Sequence, residues 1–340
     1  MKKTAVDALL RPYAAPDVPG ASVLVAWRGQ VVYQQACGLA DLETSAATIT
    51  TTNYRLASVS KQFTATAVML LAQRNQLNYT DTLPCFFPGF PAYGRAITIH
   101  HLLTHTAGLP DYEDLIPPTT QTPLQDRDVL ALLQTSTVGY FPPGSAFRYS
   151  NSGYALLALI VERVSGCSFA DFLARHIFQP LGMTGAVAFQ AGVSQVAHRA
   201  FGYHATANGF TRRDQNLTSS VLGDGGIYAS VEDLFRWDQA LYTNQLLRAD
   251  SRVAAWTPHV WVENGRLAYG YGWFIEPVQG RVCHWHFGST TGFRTAVERF
   301  PQEALTVIVL LNRNEPDGQE MAAHTLARQI AAHYLPDSRR

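Results

Sequence analysis

The 340-residue chain predicts an α/β fold of the α+β type, an antiparallel sheet flanked by N- and C-terminal helices with a helix-rich region inserted between its strands. Three observations carry this expectation. Ala21–Trp27 and Gln30–Cys37 are β-branched and aromatic runs joined by Arg28-Gly29, a hairpin signature. Near the other end, Gly280–Phe287, Phe293–Phe300 and Ala304–Leu311 are strand candidates divided by glycine, proline and polar residues, a spacing that suits antiparallel hairpins. The sequence between these two groups has a different texture. Residues 58–74 read as a helix with a Ser/Thr-rich start, and 76–145, with nine prolines, as short helices on long loops. Gly153–Val164 and Glu232–Tyr242 read as helices, the second capped by Ser230. A final helix over 319–334 carries Met321, Leu326, Ile330 and Ala331 at helical intervals. Residues 1–57 and 255–340 are therefore expected to build the sheet region and 58–254 the helix-rich region, with an active site at their junction.

Composition narrows the function. The chain has 26 basic and 26 acidic residues and no long like-sign run, so it shows no footprint for nucleic acid or an anionic membrane surface. No apolar run is long enough for a membrane span. The start, MKKTAVDALLRPYAA, begins like an export signal, but Asp7, Arg11 and Pro12 interrupt its apolar stretch; a short amphipathic helix is expected, and the compartment stays open. Cys37, Cys85, Cys167 and Cys283 show no paired spacing and read as small, semi-buried residues of a reducing compartment.

Lysine usage points to chemistry. The chain has Lys2, Lys3 and Lys61 and no other lysine; arginine supplies the remaining positive charge. Arginine stays protonated in proteins, whereas lysine can be tuned to act as a base. In Ala57-Ser58-Val59-Ser60-Lys61, Ser58 and Lys61 are three residues apart, on one face if they share the first turn of a helix. The helix N-terminus favours an oxyanion beside Ser58, and a desolvated Lys61 is able to take the serine proton. The same spacing also suits a helix cap beside a solvated lysine.

Tyr149-Ser150-Asn151 and His286-Phe287-Gly288 weigh against that plain reading. With them in order, the chain resembles the penicillin-recognising serine hydrolases, in the class C β-lactamase-like branch that holds β-lactamases, D-alanyl-D-alanine carboxypeptidases, D-aminopeptidases and esterases. The resemblance spans about residues 17–312, through ASVSKQFTA, ITIHHLLTHTAGL, PGSAFRYSNSGY and HFGSTTGF, and implies a β-lactamase/transpeptidase-like fold. It implies Ser58 as nucleophile, Lys61 and Tyr149 as proton carriers, and Asn151 as a partner of Lys61 and the substrate carbonyl. It also implies that the N–H groups of Ser58 and Ser289 form the oxyanion hole. A phenol needs nearby positive charge to ionise, and Lys61 is the candidate source. His286 replaces the lysine that class C β-lactamases typically carry there, which weakens the hold on a β-lactam carboxylate unless His286 is protonated. Gly288 lets a ligand approach the strand closely.

Other candidates carry less. His100, His101 and His105 lack the H-E-x-x-H pattern and any carboxylate at ligand spacing, so no metal is expected. The segment 223–226, Gly-Asp-Gly-Gly, reads as conformational, and Tyr112, Tyr271, Trp273 and Trp285 as core residues in preference to an acyl pocket. No nucleotide motif occurs, and no cofactor is expected. The expected activity is hydrolysis through an acyl-serine on a small-molecule or short-peptide substrate, as an esterase or D-stereospecific peptidase. The alternatives are a β-lactamase or DD-carboxypeptidase, and, from another class, a non-catalytic muropeptide-binding or scaffold protein. Oligomeric state is open.

Overall fold

Strands at both ends of the sequence meet in one sheet. The computed structural model describes residues 2–263, 265–314 and 319–335. These residues form an eight-stranded antiparallel sheet from β1 (Ala21–Trp27), β2 (Gln30–Cys37), β3 (Val260–Glu263), β4 (Leu267–Tyr269), β5 (Phe274–Val278), β6 (Arg281–Thr290), β7 (Phe293–Phe300) and β8 (Leu305–Leu311). The spatial order is β3-β4-β5-β6-β7-β8-β1-β2, so β1 and β8 join the two ends of the chain in register Val23↔Val309. The predicted hairpin matches β1 and β2 at their ends. The short β3, β4 and β5, interrupted by Gly270, Gly272 and Pro277, were not anticipated from the sequence.

Alternation along the strands divides the core into two layers. Val23, Val25, Val307 and Val309 face outward onto α1 (Lys2–Leu10) and α6 (Ala322–Tyr334), where Val6, Leu10, Leu326 and Ile330 complete the layer. Leu24, Val297, Ile308 and Leu310 face inward onto α2 (Lys61–Gln73), α4 (Asn151–Ser165) and α5 (Val231–Ala240). Helix α3 (Asp126–Thr135) packs on α4. Ser230 caps α5 as expected, accepting from Asp233 N while the Asp233 side chain accepts in return. The flanking helices and inserted helical layer are those the sequence predicted.

The inner layer is held to the sheet by charge as well as by apolar contact. Arg299 on β7 donates to Asp238 on α5 at 2.5 Å, and Thr306 Oγ1 on β8 donates to the same oxygen at 2.8 Å. Among the described residues no helix is long and apolar enough to cross a membrane. Cys37 and Cys167 are half-buried and Cys283 is buried, but Cys85 is exposed, against the expectation; all four are unpaired. Tyr112, Tyr271, Trp273 and Trp285 are all buried, as core packing requires.

Candidate active site

The turn that carries Ser58 is built under strain. Ala57 adopts φ +49°, in the left-handed region that a β-carbon disfavours, immediately before Ser58. Residues Ala57–Ser60 then form a 3₁₀ turn that runs into α2, whose first residue is Lys61. In a 3₁₀ turn, side chains three apart eclipse one another, and Lys61 Nζ lies 3.0 Å from Ser58 Oγ. The spacing read from sequence therefore works through a tighter helix than the α-turn it suggested.

Lys61 has no exposed surface. Its ammonium donates to Ser58 Oγ, to Asn151 Oδ1 at 2.8 Å and to the Asp224 carbonyl at 2.8 Å, which matches its three N–H bonds. Burial disfavours the charged form and lowers its pKa to about 8, against the opposing pull of Asp224, Glu113 and Asp111.

Each partner is fixed in turn. Asn151 is the first residue of α4, and Ser150 caps that helix by accepting from Gly153 N at 3.2 Å. The Asp224 carbonyl belongs to the short helix Leu222–Gly225, whose leading N–H groups at Leu222 and Gly223 donate to the Asp126 carboxylate at 2.9 and 3.0 Å. Thr64 Oγ1 donates to Gly223 O at 2.7 Å, tying this turn to α2.

Tyr149 packs beside the amine, with Lys61 Nζ 4.9 Å from its ring centroid. Its Oη is enclosed, with the Ser58 hydroxyl beside it. Burial pushes the phenol pKa well above 10, while the neighbouring Ser58 hydroxyl works in the other direction. Desolvation, and not the ammonium, governs this group, so Tyr149 stands as a neutral phenol.

His286 is buried on the inner face of β6. Its Nδ1 lies 2.7 Å from Phe287 O and so carries the proton, leaving Nε2 to accept from Tyr269 Oη at 3.1 Å. Burial, with Lys61 second, lowers its pKa to about 3. The protonated histidine considered as a lysine substitute is therefore not favoured: burial disfavours its charge, and the Lys61 ammonium already stands nearby. Gly288 has a definite steric reason. A β-carbon there would run into the Leu56 carbonyl oxygen and Thr295 Oγ1, and Thr295 Oγ1 itself donates to Leu56 O at 2.6 Å. The strand is pressed against the Ser58 turn at this point. Strand β5 pairs with β6 only as far as Trp285, and Ser289 and Thr290 beyond it line a cavity of about 60 Å³ with Ser58, Asn151, Arg55, Glu113 and Asp224.

The structure thus brings Ser58, Lys61, Tyr149, Asn151, Gly288 and Ser289 around one cleft, with His286 beneath it. The histidine triplet is used otherwise: His100 Nδ1 meets Tyr271 Oη at 2.9 Å, and His101 Nδ1 accepts from Thr98 N at 3.2 Å. Sequence reasoning missed Glu113, whose Oε1 accepts from Asn151 Nδ2 at 3.2 Å. It also missed Arg55, a buried guanidinium that donates to Ser219 and Gly225. Neither has a local motif to betray it.

Comparisons with known proteins bear on the family and the fold. A family model described as Beta-lactamase matches residues 6–332. The chain belongs to the Beta-lactamase family. It is 34% identical over 326 residues to penicillin-binding protein 4* of Bacillus subtilis, covering 91% of this chain and 71% of that one. It is 31% identical over 344 residues to D-aminopeptidase of Cereibacter sphaeroides, covering 97% of this chain and 63% of the relative. The chain thus spans under two thirds of the D-aminopeptidase's length. The crystal structure of a penicillin-binding protein from Bacillus halodurans superposes with a TM-score of 0.81 at 28% identity, covering 98% of each chain. The expected fold and class, a serine hydrolase of this family, stand. The close approach of β6 to the Ser58 turn at Gly288 leads to a specific expectation. Gly288→Ala should destabilise the protein by about 1–3 kcal/mol in chemical denaturation and lower ester kcat/KM at least about tenfold. Wild-type stability and rate in this variant would show that β6 does not bear on the nucleophile turn.

Proposed function

We propose that Ser58 forms the acyl-enzyme and that the substrates are small esters or amides of D-amino acids with a free amino group. The supporting observation is a lysine whose charged form is disfavoured by burial and whose nitrogen is held 3.0 Å from the Ser58 hydroxyl. As neutral Lys61 takes the Ser58 proton, Oγ bonds to the substrate carbonyl carbon, and the N–H groups of Ser58 and Ser289 receive the oxyanion. The bond to the leaving group breaks as Tyr149 gives it a proton, and Lys61 returns that proton to Tyr149. Water then attacks the Ser58 ester, its proton passes to the Tyr149–Lys61 pair, and Ser58 leaves with a proton restored. Asn151 orients Lys61 and meets the acyl portion of the substrate.

Charge around the cleft supports the substrate class. His286 is neutral, the Arg55 cation is buried and acts on the Asp224 carboxylate, and Glu113 stands at the opening with Asp111 near enough to act on Lys61. An acidic opening favours a substrate ammonium and disfavours the carboxylate of a β-lactam or a C-terminal D-alanine. The D-stereochemistry rests on the similarity to the D-aminopeptidase. A penicillin-binding peptidase is the second reading, favoured by the 34% identity to penicillin-binding protein 4*; a long-lived mass adduct on Ser58 after incubation with penicillin would select it.

Ser58→Ala should lower turnover of every substrate by at least about 10³-fold, as measured by steady-state kinetics; activity retained in this variant removes the assignment. The sign of the pH effect follows from Lys61. The neutral amine is scarce below its pKa and grows as pH rises through it, so kcat/KM should climb with an acidic limb near pH 8. A limb governed by an ordinary lysine, above pH 10, would contradict this. Glu113→Gln should raise KM for a D-amino-acid p-nitroanilide roughly threefold, the scale of one exposed charge pair, and change KM for the N-acetylated analogue less. Equal effects on both would rule out recognition of the ammonium.

A further inference from the structure

We propose that His105 is a positioning residue that holds Tyr149 over the nucleophile, an inference that rests on the reading of Tyr149 as proton donor to the leaving group. Tyr149 needs such help. Its Oη is buried and the Ser58 hydroxyl it is to serve lies beside it, so its placement depends on its ring and on the backbone at either side.

His105 supplies both. It adopts φ +58°, in the left-handed region that costs a non-glycine residue roughly 1–2 kcal/mol, and it follows the short helix Ile99–Leu103. In this conformation its carbonyl accepts from Arg148 N at 3.0 Å and its Nδ1 accepts from Ser150 N at 3.0 Å. The two bonds bracket Tyr149. Between them the imidazole lies on the phenol ring, with centroids 4.3 Å apart and planes tilted by 33°. Tyr154 at 5.0 Å and Tyr269 at 4.6 Å enclose the imidazole further, so it has little room to turn.

The chemistry of the ring argues for a role beyond filling space. Because Nδ1 accepts, Nε2 carries the proton of the neutral ring, and burial with Lys61 and His286 nearby disfavours a second proton. Nε2 is buried with no hydrogen-bond partner among the described residues. An unpaired buried N–H costs roughly 1–3 kcal/mol, a cost that leucine or phenylalanine at this position would avoid. Both unfavourable features, the left-handed backbone and the unpaired nitrogen, come with the acceptor that fixes Ser150 and the surface that fixes Tyr149.

The test separates leaving groups. p-Nitrophenolate departs without a proton, whereas ethoxide needs one, so kcat/KM for ethyl and p-nitrophenyl esters of one acyl group reports on Tyr149 alone. Tyr149→Phe, His105→Ala and His105→Asn are measured together. Asparagine tolerates the left-handed backbone and keeps an acceptor but has no ring. His105→Ala should lower kcat/KM for the ethyl ester about 100-fold, within the range of a lost general acid, and for the p-nitrophenyl ester less than about fivefold. His105→Asn, which also serves if the alanine variant fails to fold, should fall between His105→Ala and wild type with the same bias. Equal losses on the two esters in the His105 variants, beside a clear bias in Tyr149→Phe, overturn the positioning role alone. No bias in Tyr149→Phe overturns the reading of Tyr149 and the inference with it.

Discussion

An ammonium without water needs an acceptor for each of its three protons, and the arrangement around Lys61 follows from that requirement. Burying a charge costs several kcal/mol unless it is paired and hydrogen-bonded. The three acceptors come from separate parts of the chain: the 3₁₀ turn at Ser58, the start of α4 at Asn151 and the turn at Asp224. Those segments must meet at one point. The sequence meets the steric demand with Gly223, where a β-carbon would run into the Tyr154 carbonyl, and with Gly288, pressed on Leu56. It meets the polar demand with Asp126, which anchors the N–H groups of Leu222 and Gly223 so that the Asp224 carbonyl faces the amine.

The same exclusion of water sets every proton in the cleft. Burial lowers the pKa of Lys61 and His286 and raises that of Tyr149, so each group moves toward its neutral form. Lys61 differs from the others in degree: its pKa falls only to about 8, because Asp224, Glu113 and Asp111 oppose the desolvation. Of these three groups, Lys61 is the one whose proton can be gained and lost near neutral pH. A site with a second cation on β6 would push that proton off more readily and would also attract substrate carboxylates. With a neutral histidine there, the acidic side chains at the opening set the field that a substrate meets.

Much of this was legible in the sequence, and the reasons differ by element. The β1–β2 hairpin was readable because a glycine turn divides two β-branched runs, and the α5 cap because Ser230 and Asp233 are both side-chain signals. Strands β3 to β5 were not, since Gly270, Gly272 and Pro277 break them into pieces too short to show alternation. In the cleft, Ser58 and Lys61 were found through their spacing, and Tyr149 and Asn151 through the family resemblance. The third acceptor of Lys61 was not, because a backbone carbonyl leaves no trace in residue identity. The charge state of His286 stayed open in the sequence for a related reason: protonation depends on burial and on Tyr269, which is 17 positions away in sequence.

The distribution of lysine and arginine follows from the same physics. Where this chain buries a permanent charge for structure, it uses arginine: Arg299 is 1% exposed and bonded to an equally buried Asp238, and Arg55 is held by Ser219 and Gly225. A planar, delocalised guanidinium suits such sites because it never has to give up its proton. The position beside Ser58 has the opposite requirement. There the cation must be compact enough to reach three acceptors from one nitrogen, and its charge must be removable. Lys2 and Lys3 are exposed on α1, so Lys61 is the one lysine of the chain placed where loss of its proton has a chemical consequence.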